Sequence, residues 1–434
     1  MAEIRPFQGV HYSKSLIEDL SAVICPPYDI ISPQQRQELY AKSEYNFVRL
    51  EYTRELPQDT PTDNKYTRAA ATLEQWLEQG ILETDPTPAI YLYDQYFKYQ
   101  KKQYKRCSLI ACVRLEEWEK GIVRPHEGTI AEAKSDRLSL LWALQANTSP
   151  ILAMYQDPKQ QIATLLTKVE QDKPLLDTRS SNGEGHSVWA ITKPQTISQI
   201  RDCLAGQSLY IADGHHRYES ALTYRREKSA RGPVTGDEPF NFVLMTLVDF
   251  ADPGLLILPP HRLVRGIAKS TLDELMPKLE LLFEIDRLPL GMPDVWSQTD
   301  NLIKTDETKL VLFGLNKTDL LVLKPRDQAA INQMMPYFHS ELYKRLDVSI
   351  IDHVILEELL GLSGGKENTL LAYSYDRQDA INRVIDQEYQ LALLVRPAKA
   401  ETIKAIADVG DKMPRKSTYF YPKLPAGLIV YRLV

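Results

Sequence analysis

No uninterrupted apolar run in this 434-residue chain approaches the ~20 residues that a membrane-spanning helix needs. The opening residues, Met1-Ala2-Glu3-Ile4-Arg5-Pro6, lack the apolar core of a secretory signal. Both absences lead to the expectation of a cytoplasmic protein that makes no use of a membrane. Cysteines number only four, which argues for a reducing compartment and against a disulfide framework. Cys107 and Cys112 stand five apart in a strand-like run, not at the spacing of a zinc pair. Cys25, before Pro26-Pro27, has no activating base beside it, so a buried thiol is the plainer reading and a reactive one the alternative. The usual nucleotide loops are missing too. There is no Gly-x-Gly-x-x-Gly, and Gly361-Leu362-Ser363-Gly364-Gly365-Lys366-Glu367 has the wrong spacing for a phosphate loop, with an acid where the hydroxyl belongs. Basic residues (52) are outnumbered by acidic ones (58), which makes DNA an unlikely partner unless the cations gather on one face.

What is present reads as a globular protein. Hydrophobic content of 43% and charged content of 25% are ordinary for a folded chain, and the length favours two domains. Tyr66, Ala69, Ala70, Leu73, Trp76 and Leu77 mark an amphipathic helix that stops at Gly80. Ala89–Tyr93 and Ser108–Val113 read as strands, with polar Lys101–Arg106 as the hairpin tip. A turn at Asn182–Gly185 precedes a strand at Val188–Ile191, and Phe242–Val248 reads as a buried strand. Beyond His261-Arg262, helices are expected over Thr271–Leu282, Gln328–Arg345 and Ile351–Leu360, and strands over Lys309–Phe313, Leu320–Leu323 and Leu391–Val395. The apolar ending Leu428–Val434 is expected to join a sheet. The class is α+β, or mixed α/β, with lobes at 1–265 and 266–434.

The densest chemistry lies at Asp213-Gly214-His215-His216-Arg217. It follows the apolar run Leu209-Tyr210-Ile211-Ala212, and Tyr218, Ala221 and Leu222 continue behind it at helical spacing. The motif therefore sits at a strand-to-helix turn, where unpaired amides and the positive end of the helix dipole favour an anion. Gly214 allows close backbone approach, and Arg217 offers a planar fork of donors for phosphate or carboxylate. The bland alternative makes Asp213 a helix cap and the histidines surface residues.

Other clusters are less specific. His126-Glu127-Gly128-Thr129 is not a zinc-protease motif; Glu127 is either a capping acid or a general base or magnesium ligand. Lys134 and Arg137 share a helix face, solvated or in contact with nucleotide. His261-Arg262, after two prolines, divides between core hydrogen bonding and substrate binding. Lys416-Ser417-Thr418 with Lys423, set among Pro414 and Pro422, could grip phosphate or carboxylate, or form a plain loop.

Ala212–Glu219 closely resembles the signature of the prokaryotic family known as domain of unknown function 1015. Further segments are similar to the same family: Cys25–Asp29, Asn46–Leu50, His126–Thr129 with Lys134 and Asp136–Leu138, Asn147–Ile151, Pro260–Leu263, and Met413–Phe420 with Pro422 and Lys423. Asp213–Arg217 is also similar to the motif of free-serine kinases of the ParB/sulfiredoxin superfamily, in which this turn binds nucleotide phosphates. That resemblance implies a ParB/sulfiredoxin-like core with an added mixed-sheet C-terminal unit. It implies a phosphotransferase that uses ATP or ADP with Mg²⁺ on a small hydroxyl compound, serine-like. Gly214, His215, His216 and Arg217 would hold phosphate, with Lys134 and Arg137 beside them. Glu127 or Asp213 would handle the acceptor proton. The alternatives are a non-enzymatic sensor of an anionic metabolite or nucleotide, and a ParB-like nucleotide-hydrolysing switch.

Overall fold

Asn64 and Thr67 stand three apart and close a reciprocal capping box, which starts the helix Lys65–Glu78. Ala69, Leu73 and Trp76 form its buried stripe, and Gly80, at φ +70°, ends it. This and the other elements are taken from a computed structural model, which describes residues 2–179, 183–303, 308–362 and 367–434. Asn182, at the head of the expected turn, and Ser363–Lys366 of the glycine-rich segment lie outside the described residues.

The chain forms two compact units. One comprises Met1–Pro125, Thr129–Leu256 and Pro422–Val434; the other comprises His126–Gly128 and Ile257–Tyr421. His126–Gly128 and Pro422–Val434 do not follow the two continuous lobes expected at 1–265 and 266–434.

The first unit is built on a nine-stranded mixed sheet. Its order is Val123–Arg124, Leu209–Asp213, Ile151–Tyr155, Phe242–Asp249, Lys102–Arg114, Ile90–Tyr99, Gly185–Ile191 and Leu176–Arg179, with Ile4–Arg5 also paired to Lys102–Arg114. Two pairings are parallel: Leu209–Asp213 with Val123–Arg124, and Phe242–Asp249 with Ile151–Tyr155. The second pair is buried at nearly every position, as expected of strands covered on both faces. The hairpin expected to turn over Lys101–Arg106 is tighter than that. Its strands run Ile90–Tyr99 and Lys102–Arg114, and Gln100 and Lys101 both take positive φ in a two-residue turn. Lys102–Arg106 are therefore strand residues, and Arg106 is carried into the core.

The chain's last segment returns to this unit. Cys25 and Ala426 exchange backbone hydrogen bonds, as do Val10 and Val430, and Tyr431–Arg432 pairs with Ala146–Asn147. The apolar ending is thus tied down by separate bridges and one short strand. Gly427 is needed within it: φ is +91°, and an added Cβ would lie 2.6 Å from Phe47 Cγ.

In the second unit, six strands pair antiparallel in the order Phe283–Pro289, Asp319–Pro325, Leu310–Phe313, Leu391–Leu394, His261–Val264 and Leu371–Ser374. Helix Arg377–Ile385 packs Ala380, Ile381 and Val384 onto a core with Leu263, Val311, Phe313 and Val322. The helix expected over Gln328–Arg345 is two pieces, Gln328–Gln333 and Glu341–Lys344. Pro336 lies between them, and its missing N–H and fixed φ prevent continuation. The segment expected as an α-helix at Ile351–Leu360 is wound as a π-helix over Ile350–Leu359. No helix among the described residues is long and apolar enough to cross a membrane.

Gly427→Ala should destabilise the protein by about 1–3 kcal/mol, through strain at positive φ and overlap with Phe47. Gly232→Ala, where an added Cβ meets nothing within 4 Å, should stay within about 0.5 kcal/mol of the parent. Urea denaturation of the two variants measures the difference; equal midpoints would remove the assigned role of Gly427.

Candidate functional site

The strand Leu209–Asp213 is regular until Ile211, which faces Ala153; Asp213 then faces Leu152, so Ala212 is an extra residue. This bulge decides which face of the sheet receives the carboxylate, the re-aiming that bulges perform beside functional sites. Gly214 follows at φ +97° and is the N-cap of the helix His215–Ser229, with no side chain capping the helix. Asp213 is therefore not the helix cap. Its Oδ2 accepts from Arg217 Nη2 at 2.7 Å, and its Oδ1 accepts from Lys423 Nζ. The Arg217 guanidinium also donates to Pro150 O. It folds over Gly214, where an added Cβ would meet it at 3.1 Å. The glycine thus makes room for the arginine as well as for the turn.

Burial alone would raise the Asp213 carboxyl, but the adjacent charges of Lys423 and Arg217 hold it far below the usual carboxylate range. Burial likewise opposes the charge on Lys423, and Asp213 more than restores it, holding the ammonium above its ordinary value. His215 is buried at the head of the helix. His216 Nε2 accepts from the Ile130 amide at 2.9 Å, so that nitrogen carries no proton and the ring is neutral in this arrangement.

Around the turn stand several residues from the segments that carry the family resemblance. Arg137, on the helix Ala131–Leu144, lies over the Tyr28 ring at 3.8 Å and donates from Nη1 to Glu51 O at 3.1 Å. The buried Glu51 carboxylate accepts from Thr148 Oγ1 and Ser149 Oγ, both at 2.7 Å. Burial pushes the Tyr28 hydroxyl up to about 12, against the lowering field of Arg137. Arg137, Thr148, Ser149 and Arg217 line a pocket of about 40 Å³, room for a few waters and far below the ~300 Å³ of a small-ligand cleft. Lys134, one helical turn away, pairs instead with Glu219 at 2.9 Å, whose same oxygen accepts from Thr129 Oγ1.

Sequence reasoning left Glu51, Tyr28, Thr148 and Ser149 out of the site. The signal was there: three lie inside segments shared with the family, and Glu51 directly follows another. Lys423 was grouped with Lys416 and Ser417, but its ammonium goes to Asp213.

Glu127 belongs to the second unit. Its Oε1 accepts from Ser417 N and from Thr418 Oγ1, each at 3.2 Å. His126 Nε2 lies 3.0 Å from the same threonine hydroxyl, whose proton goes to Glu127, so the histidine donates there. Ser417 is buried and its hydroxyl closes the turn onto Pro414 O, with Lys416 at φ +57° at the tip. Arg262 is fully buried, with Nε and Nη2 on Asp352 at 3.0 and 3.1 Å and Nη1 on Pro260 O. His261 Nδ1 accepts from Val395 N, and burial lowers its pKa to about 4. The described partners of Glu127, Ser417, His261 and Arg262 are thus core and turn groups of the second unit.

The chain belongs to the family described as Protein of unknown function (DUF1015), which matches residues 4–349. No curated protein matches it. Among solved structures, it is similar to a free serine kinase in complex with AMP, at 11% identity, covering 74% of this chain and 91% of that one, with a TM-score of 0.37. A conserved hypothetical protein from Pyrococcus furiosus shares 11% identity over 75% and 95% of the two chains, with a TM-score of 0.36. SbnI with C-terminal truncation from Staphylococcus aureus shares 10% over 73% and 85%, with a TM-score of 0.35.

Asp213→Asn leaves two cations sharing a buried site without their carboxylate, which should cost ~3–5 kcal/mol at neutral pH. The lowered Asp213 pKa makes its contribution complete above the unfolded value near 4 and lost as pH falls through the folded one. The raised Lys423 pKa makes its contribution complete below about 10 and lost at higher pH. The stability gap between parent and variant should therefore be flat between about pH 4 and 10 and close on both sides. A gap that does not narrow in acid would contradict the assignment.

Proposed function

We propose that the Asp213–Arg217 turn binds the phosphates of ATP or ADP, and that the protein transfers a phosphoryl group to the hydroxyl of a small metabolite. Serine is the first acceptor to try. The observation that carries this reading is the pair of cations, Arg217 and Lys423, gathered on one carboxylate at the head of a helix without a side-chain cap. Phosphoryl transfer chiefly needs positive charge and alignment, and a phosphate offers these cations the same kind of oxygen that Asp213 now supplies. The helix amides add donors for the same anion. On this reading the first unit is a ParB/sulfiredoxin-like core, with His215 and His216 flanking the phosphate and Lys134 and Arg137 in supporting positions.

The carboxylates at the turn are already engaged: Asp213 by two cations, and Glu219 by Lys134 and Thr129. With those partners in place, neither carboxylate is a prepared Mg²⁺ ligand. Glu127 and Asp213 are the proposed acceptors of the substrate proton. Each would have to exchange a present partner to act. That engagement favours one alternative, a sensor that binds an anion between Arg217 and Lys423 and performs no chemistry.

Nucleotide at 100 times its dissociation constant should stabilise the protein by about 2.7 kcal/mol. Arg217→Ala should abolish that stabilisation while the protein stays folded. A thermal-shift panel of nucleotides on both proteins is the measurement; an unchanged response in the variant removes the turn from the site.

If Glu127 is the base, Glu127→Gln should keep nucleotide binding and lose about 10²–10⁴-fold in turnover. Stability must be measured beside the rate, because the same change weakens the cap on Ser417. Full turnover in this variant and in Asp213→Asn would remove both proposed bases.

A further inference from the structure

The strand pairings place Asp213 on one face of the large sheet with distant polar residues. Asp213 is opposite Leu152, Leu152 is opposite Thr246, and Thr246 is opposite Ile110. Residues directly opposite share a face, and so do residues two apart along a strand. Ser108 and Arg106 therefore lie on that face, with Tyr93, Gln95 and His186 across from them. A polar stripe in the buried centre of a sheet requires explanation.

Arg106 is its anomaly. The side chain is 0% exposed, yet no carboxylate pairs with it among the described residues. Its Nε and Nη1 have no hydrogen-bond partner among those residues. The charges of Asp252 and Asp213 reach it without direct ion-pair contact, and a buried cation with no contacting carboxylate is a costly arrangement for a core. What Arg106 does contact is specific. Nη2 donates to Pro422 O at 2.8 Å and to the Gln95 side-chain oxygen, while Gln95 Nε2 donates to Lys423 O at 3.4 Å. The carbonyls of two consecutive residues are thus held by two cross-strand neighbours. The side chain leaving that clamped backbone is the one whose ammonium meets Asp213.

We infer that Arg106, supported by Gln95, is a positioning residue: it fixes the Pro422–Lys423 backbone on the sheet so that the Lys423 ammonium stands beside Arg217. A lysine is a flexible four-carbon stem, and its charge is placed only as well as its backbone is placed. Pro422 helps, because its ring fixes φ and it offers no N–H to compete for partners. The Arg106 charge also reaches Asp213, the carboxylate that Lys423 and Arg217 share. The inference deepens the reading of the turn as a phosphate site, and rests on that reading only for its second test.

The first test needs no ligand. Native protein is treated with limiting acetic anhydride, and acetylation of Lys423 is quantified by peptide mass spectrometry. In Arg106→Met, Lys423 labelling should rise about tenfold, with exposed Lys269 unchanged as the internal standard. Arg106→Lys, which retains a donor and charge, should restore most of the protection, and Asp213→Asn should expose Lys423 as a positive control. A folded Arg106→Met protein with Lys423 as protected as in the parent overturns the inference. If that variant does not fold, Gln95→Leu replaces it: a measurable rise supports the clamp and no rise overturns it. The second test is calorimetric titration with pyrophosphate. A parent that binds pyrophosphate should lose about tenfold in affinity in Arg106→Met, whereas equal affinity overturns the inference. A parent that binds neither pyrophosphate nor ATP defeats the nucleotide reading and leaves the labelling result to decide the role of Arg106.

Discussion

One carboxylate holding two cations organises the first unit's site. Asp213 draws Arg217 back across Gly214 and draws Lys423 in from a segment 210 positions away in sequence. Neither cation would be stable in so buried a place without that charge, and the carboxylate would not stay ionised there without them. Each partner is the condition for the others. The bulge at Ala212, the left-handed glycine and the return of the C-terminal segment all serve to bring these three groups to one point.

The same logic explains why charged motif residues had such different fates. Arg262 and Arg217 are both arginines in segments shared with the family. Arg262, however, gives Nε and Nη2 to Asp352 and its remaining nitrogen to Pro260 O, which makes it a core brace. Arg217 shares its carboxylate with a second cation, leaving a local excess of positive charge that an anion could satisfy. Counting partners, and not residue types, separates the two. Glu127 is a similar case: the acid that stands out in sequence spends one oxygen on the Ser417 turn.

Local features were legible in the sequence. The capped helix before Gly80, the strand Leu209–Asp213 and the helix behind it follow from periodicity and capping, which act within a few residues. The tight turn at Gln100-Lys101 was not, because two non-glycine residues adopt positive φ there under the demand of the flanking strands. The break in the expected helix Gln328–Arg345 falls around Pro336, a residue that cannot continue a helix. The pairing of Lys423 with Asp213 lay beyond pattern reading altogether. It depends on a chain return across the whole second unit, and on Arg106 being strand and not hairpin tip. Once the register slides the tip outward, Arg106 moves from a surface lysine-rich loop into the core of the first unit.

The distance in sequence between Asp213 and Lys423 also sets an order of events during synthesis. When the strand, the glycine and the helix bearing Arg217 have all left the ribosome, the residue that completes their charge balance is still some two hundred codons away. The turn is therefore born with one cation instead of two, and the edges that later receive residues 424–434 are still uncovered. Only after the entire second unit has been made does the chain come back to finish the first. A nascent chain can carry every residue of the Asp-Gly-His-His-Arg motif and still lack the second cation on Asp213.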